Sequence, residues 1–339
     1  SRYKPVMNKV SVVIVCPALA DANNGNWQTA WRWQRMLAPD YRTRIVRAWP
    51  DGDAAAQDTV MIALHARRSA ASIAAWAQAR PGRGLIVALT GTDLYRDIQT
   101  DATAQQSLAL AQRLVVLQER GPDALPAALR AKARVIFQST AGRQPLPKTS
   151  RHLRAVMVGH LREEKSPQTL MEAARLLKNE SGIRIDHIGA ALDPALGNAA
   201  RATAAECPNY RWLGGLPHEA VRRRIQRAHV LVHASRMEGG AHVIMEAVTC
   251  GTPVLASRVA GNVGMLGEDY AGYFPHGDAV ALADRLRRCA TQPSNPPADV
   301  PSEYLRQLRN QCAARAALFD PIAEQGHLHR LIQEILENP

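Results

Sequence analysis

The stretch VLVHASRMEGGAHVIMEAVTCGTPVLAS, residues 230–257, reads as one strand–loop–helix–strand unit. Residues 230–235 and 253–257 are short β-rich apolar runs, the pattern of strands buried on both faces. The residues from Gly240 onward read as a helix, which Gly251 followed by Pro253 closes. Two strands joined through a crossover helix lie parallel. This unit alone therefore predicts a parallel sheet covered by helices.

The same grammar extends in both directions. Apolar runs at 10–16, 44–49, 60–65, 84–90, 114–118 and 135–139 alternate with helical patterns such as 27–37 and 69–79. TAGRQPLPKTSRH (140–152), with two prolines and no apolar period, is the best linker. The alternation resumes at 154–159, 183–189 and 210–214, and Ser166-Pro167 reads as a helix N-cap and first turn. A second Pro-rich break, PSNPPADVP (293–301), precedes two last helical segments. The expectation is an α/β chain of two Rossmann-like, doubly wound parallel-sheet domains, 1–145 and 146–300, facing a central cleft. Helices in 301–339 are expected to pack back toward the first domain. Ligands of such sheets bind in loops after the strand C-terminal ends.

Bulk properties narrow the class. At 339 residues one core is too small a container, and 46% apolar with 21% charged residues is ordinary for a globular protein. No run approaches the roughly 18 apolar residues of a membrane helix, and SRYKPV before Met7 does not read as a signal. Five scattered cysteines without a CxxC pair argue against zinc or a disulfide framework and for a reducing cytoplasm. A net charge of +12 invites a nucleic-acid reading. The arginines are spread along the chain, however, and the densest cluster, Arg222, Arg223, Arg224 and Arg227, reads as a solvated helix face. No nucleic acid or membrane partner is expected; a basic surface equally attracts small anions.

Glu238 and Glu246 carry the first chemical signal. Glu238 lies in the loop and Glu246 about one and a half turns into the helix. Gly239 and Gly240 admit close backbone approach, and free N–H groups at Gly240, Ala241 and His242 form a seat for phosphate. The two carboxylates are either a general acid and base or two acceptors gripping hydroxyls. By itself the pattern fits an ordinary capped helix as well as a nucleotide-sugar site. VGHLREEKSP (158–167) adds His160, Arg162 and Lys165 in another strand-to-helix loop, cations able to neutralise a departing diphosphate.

With EAVTCGTPVLAS (246–257), VAGNVGML (259–266) and GYFPHGDAVALADRL (272–286), these motifs make residues 154–290 resemble the donor domain of GT-B glycosyltransferases, in glycosyltransferase family 4. The resemblance implies that Glu238 holds the transferred sugar, Glu246 the ribose, and Lys165 the diphosphate. His160 stands where that family has arginine, so Arg162 supplies the charge, and Gly240-Ala241 replaces Phe-Gly in the pocket wall.

In the first half, NNGNW (23–27) follows the first strand, LHARRS (64–69) the third and LTGTDLYRD (89–97) the fourth. Trp27 and Trp31 share a helical face expected to enter the core. Together with VGHLREEKSP and RMEGGAHVIMEA, these stretches resemble the selenosugar synthase family over essentially the whole chain. That resemblance implies transfer from a UDP-sugar, UDP-N-acetylglucosamine or UDP-glucose, to selenophosphate. The products would be a 1-selenosugar, UDP and phosphate, in selenoneine biosynthesis, with a functional link to a selenophosphate-producing enzyme. Its implied catalytic residues are Lys165, Arg162, Glu238 and His65. Donor contacts are Gly25, Asn26, His160, Gly239, Gly240, Ala241, His242, Glu246 and Asn262; acceptor contacts are Asn24, Arg67, Arg68, Thr90, Gly91, Thr92, Asp93 and Arg96. No DxD-type clamp accompanies the donor motifs, so no metal and no cofactor beyond the donor is expected. The competing readings are a hexosyltransferase acting on a hydroxyl acceptor, a sugar-nucleotide epimerase and a basic nucleic-acid-binding protein.

Overall fold

A computed structural model of the chain describes residues 9–18, 25–291 and 300–338. Asn24, an expected acceptor contact, and most of the Pro-rich break at 293–301 lie outside the described residues. The chain forms two compact units, one holding the residues up to Gln138 together with those from Pro321, the other Ser139–Asp320. The two closing helices thus belong to different units: Glu303–Arg315 to the second and Pro321–Glu337 to the first.

The first unit contains β1 (Ser11–Val15), β2 (Arg42–Val46), β3 (Val60–Leu64), β4 (Leu85–Ala88), β5 (Arg113–Val116) and β6 (Ala133–Val135). The second contains β7 (Leu153–Val158), β8 (Ile183–Ile188), β9 (Tyr210–Trp212), β10 (Val230–His233), β11 (Val254–Ser257) and β12 (Tyr273–Phe274). Each set is one sheet, in the order β2-β1-β3-β4-β5-β6 and β12-β11-β10-β7-β8-β9. Every pairing is parallel. All eleven anticipated strands form. The two-residue β12 was not anticipated, because Tyr273 and Phe274 are too short a run to carry a period.

Strand alternation sends successive side chains to opposite faces, and both faces are covered. In the first unit Val13, Val15, Met61, Val87 and Leu114 pack with Ile73, Trp76 and Leu108. Val12, Ile14, Ile62 and Val115 pack with Trp33, Leu37, Leu328 and Ile332 from helices Gly25–Leu37 and Pro321–Glu337. A buried carboxylate ties these two helices together. Glu324 accepts from Arg32 Nε at 2.8 Å, Arg32 Nη2 at 2.9 Å and Trp33 Nε1 at 2.7 Å.

Two local expectations are corrected and one is refined. Trp33, not Trp31, is the core tryptophan of its helix: Trp31 is 45% exposed with Arg35 over its ring. Two residues turn a helix by about 200°, so the two indoles point to opposite sides. Arg222 is buried rather than solvated and donates to Thr140 Oγ1 and the Ala141 carbonyl. Together with the Gln226 contacts to Gln144 and Leu146, this binds the proline-bearing segment along helix His218–Arg227. Ser166 is the N-cap of helix Pro167–Leu176 with Pro167 in its first turn, as expected, but it lies in the left-handed region (φ 49°) and its side chain makes no capping bond. Its hydroxyl instead meets His276 Nε2 at 2.8 Å. Among the described residues no helix is long and apolar enough to cross a membrane.

Glu324→Ala leaves Arg32 and the Trp33 indole N–H without their acceptor inside the fold. An unfolding loss of about 2–4 kcal/mol is expected in urea titration, while Ile322→Ala, at an exposed position of the same helix, changes little.

Candidate functional site

In the second sheet the chain runs outward from β7 through β8 to β9, then returns to β10 on the other side of β7. The switch point therefore lies between β7 and β10, the place where doubly wound sheets bind ligands. The loops that follow these two strands carry Lys165 and Glu238, and the side chains meet: Lys165 Nζ donates to Glu238 Oε1 at 2.5 Å. Ser235 Oγ donates to the same oxygen at 2.7 Å, and buried His233 brings Nε2 to 3.2 Å from it. Glu238 Oε2 has no partner among the described residues.

Burial alone would raise the Glu238 carboxyl; the Lys165 ammonium, with His233, outweighs it and holds the group well below the usual carboxylate range. Glu238 is therefore ionised at neutral pH and serves as an acceptor, not as a general acid. Gly261 sets its backbone. A Cβ there would come within 1.9 Å of the Glu238 carbonyl, so only glycine lets helix Ala260–Leu266 pack so closely. Gly159 and Gly189 make a similar close approach beneath the Lys165 loop, and the Lys165 stem crosses Gly159.

Glu246 lies on helix His242–Val248, which begins two residues later than expected because Ala241 is still extended. That helix is short, and it closes at Gly251 (φ 79°) with the Thr252 N–H reaching the Ala247 carbonyl, as the Gly-Thr-Pro sequence predicted. Glu246 is 3% exposed and accepts from His218 Nε2 at 2.6 Å, with His242 Nε2 at 3.7 Å. The hydrogen bond to Glu246 raises His218 above its ordinary 6.5, against partial burial. Asn262 is fully buried and braces the site: its Nδ2 donates to the Ser257 carbonyl and hydroxyl, and Ser257 Oγ donates to the Ser235 carbonyl. His160 and Arg162 are exposed on the β7 loop, His160 Nδ1 accepting from the Ala190 N–H. Gly239, Gly240 and Ala241 form the turn between the two glutamates.

In the first unit the loops after neighbouring strands β3 and β4 converge. His65, in the left-handed region (φ 77°) and 2% exposed, has Nδ1 3.3 Å from Asp93 Oδ1 and Nε2 3.6 Å from Asp97 Oδ2. Nδ1 accepts the Arg68 N–H, which assigns the ring proton to Nε2. Asp93 and Asp97 open and close a π-helical turn, an element often found at functional sites. Burial pushes Asp93 up to about 7, against its bond from the Ala66 N–H. Burial and the Arg68 charge push His65 down to about 4. Thr90, Gly91 and Thr92 are half-buried ahead of this turn, and Gly25 and Asn26 begin helix Gly25–Leu37. His65, Asp93 and Asp97 offer ligand atoms within 4.8 Å of one another, a set that could hold a metal. Both Asp97 oxygens already accept from Arg67 and Arg96, which places two positive charges where a cation would sit.

Sequence reading missed His218, His233, Ser235 and Asp97. His233 and Ser235 are hidden inside the apolar run 230–235, and His218 and Asp97 look like ordinary helix-surface polar residues.

Because the charged imidazole is the form that Glu246 holds, the His218–Glu246 pair is present below the raised value and lost as pH rises through it. NMR titration of the histidines is expected to place His218 above 6.5 in the native chain and back near 6.5 in Glu246→Gln. An unchanged His218 titration would remove the ion pair.

Residues 138–311 match the family model described as glycosyl transferases group 1. An amylovoran biosynthesis glycosyltransferase of Erwinia amylovora is 30% identical over 198 residues, 55% of this chain and 44% of the relative. The match thus spans less than half the length of that curated relative. Among solved structures, a sucrose-phosphate synthase from Thermosynechococcus elongatus superposes with a TM-score of 0.73 at 17% identity, covering 98% of this chain and all of the other. Anabaena HepE in complex with UDP does so with a TM-score of 0.70 at 14% identity, over 96% of this chain and all of HepE. The two parallel six-stranded sheets have the GT-B architecture of these neighbours. With the family model covering more than half of its residues, the chain belongs to the glycosyl transferases group 1 family.

Proposed function

We propose that the chain transfers a hexose from a UDP-sugar, UDP-N-acetylglucosamine or UDP-glucose, to selenophosphate, giving a 1-selenosugar. The observation that carries the donor half is the hold on Glu238. Three side chains converge on Oε1 and keep the carboxylate charged, while Oε2 stays open to a sugar hydroxyl. Glu246, buried and facing His218, is a second acceptor suited to ribose hydroxyls. Lys165, one bond from Glu238, is placed to neutralise charge on a departing diphosphate. HepE, a neighbour in fold, has been solved with UDP and with UDP-glucose, which supports this donor class.

Selenium in selenophosphate is already an anionic nucleophile, so the acceptor needs positioning rather than a general base. Its lone pair forms the Se–C1 bond as the C1–O bond to UDP breaks and the electron pair leaves on the diphosphate. Water then cleaves the P–Se bond, releasing phosphate and leaving the selenol. Arg67, Arg68 and Arg96 supply the cations that such an anion requires. A hydroxyl acceptor is the second reading, supported by the amylovoran biosynthesis relative. It would need a base at the acceptor, whereas His65 is buried beneath its loop.

UDP release followed by mass spectrometry, with and without selenophosphate, tests the proposal; release that ignores selenophosphate sinks it while leaving the family intact. Glu246→Ala is expected to raise the UDP-sugar KM about tenfold, and Lys165→Ala to lower kcat about a hundredfold. Full activity in both variants would refute the donor assignments.

A further inference from the structure

We infer that Asp97 is a positioning residue that locks Arg67 and Arg96 side by side as a receptor for a tetrahedral oxyanion. The identity of that anion, the phosphate end of the acceptor, rests on the proposed function. Asp97 Oδ2 accepts from Arg67 Nε at 3.1 Å, and Asp97 Oδ1 accepts from Arg96 Nε at 3.1 Å. One carboxylate thus joins two guanidiniums that arrive on different loops, one after β3 and one after β4. Both are bound through Nε, and their Nη groups have no partner among the described residues. The arginine side chains are 41% and 49% exposed, whereas that of Asp97 is only 7% exposed. The clamp lies inside and the donors face outward.

Buried His65 packs behind Asp97. With Nδ1 accepting from the Arg68 N–H, the His65 Nε2 lies 3.6 Å from Asp97 Oδ2, beyond hydrogen-bond distance, and has no hydrogen-bond partner among the described residues. Asp97 stays ionised: burial would raise it, and the bonds from Arg96 and Arg67 outweigh that effect. The local charge also suits a dianion. Arg67, Arg68 and Arg96 contribute three positive charges and Asp97 removes one. Preset guanidinium forks of this kind favour phosphate-like oxygens over a lone carboxylate or a neutral hydroxyl. Without Asp97 the two long side chains would have to be ordered by the ligand itself, at an entropic cost.

The test compares the native chain with Asp97→Asn, Asp97→Glu, Arg67→Lys and Arg96→Lys. Selenophosphate KM is read from UDP release at saturating UDP-N-acetylglucosamine, and the Kd for inorganic phosphate from titration calorimetry. Asp97→Asn is expected to raise both by about tenfold while kcat and the UDP-sugar KM stay within about twofold. Asp97→Glu should recover part of the loss, and each lysine variant, which keeps the charge but not the fork, should raise both constants about fivefold. The lysine variants decide the matter if Asp97→Asn does not fold. Native values of both constants in every folded variant overturn the receptor. Should the native chain ignore selenophosphate while phosphate binding still weakens in the variants, the acceptor reading fails and the receptor stands.

Discussion

Lys165 and Glu238 are 73 positions apart and share one hydrogen bond because β10 returns to the sheet beside β7. The arrangement of the second unit's strand-end loops depends on that neighbourhood. A carboxylate buried at a strand end is unfavourable unless a cation meets it, and the strand-order reversal is what brings the cation. With Lys165 in place, Ser235 and His233 add to the same oxygen, and the other oxygen has no partner among the described residues. Asn262, Ser257 and Gly261 do not bear charge. They fix the loop backbone closely enough for the three-way contact to persist.

The first unit uses the opposite polarity. There a single carboxylate, Asp97, gathers guanidiniums from two loops, so the outward surface is cationic instead of anionic. In both edges a buried carboxylate at a strand end is held by cationic side chains from a neighbouring loop. On the far side of the first sheet, Glu324 performs a structural version of the same task. It ties the C-terminal helix to Arg32 and Trp33 and so completes a face that Ile14, Ile62 and Val115 would otherwise leave exposed.

Much of this was legible from the residues. Parallel strands are buried on both faces, so they appear as uninterrupted apolar runs, and loops after them stand out by their polarity. Glu238, Glu246 and Lys165 were visible for that reason. The misreadings share a physical cause. Trp31 and Arg222 were judged by local pattern, but their surroundings come from helix phase and from the segment laid across helix His218–Arg227. Asp97 and His218 escaped notice because a charged residue on a helix shows nothing of its partner in sequence.

The amino-acid sequence by itself determined the α/β alternation, the two sheets and the polar loops that follow the strands, because hydrophobic period and glycine placement act over a few residues. Only the tertiary structure decided which charges meet: Lys165 with Glu238, His218 with Glu246, Asp97 with two arginines. Strand order and helix phase set those pairings, and both result from burying whole faces at once. No short stretch of chain contains that information.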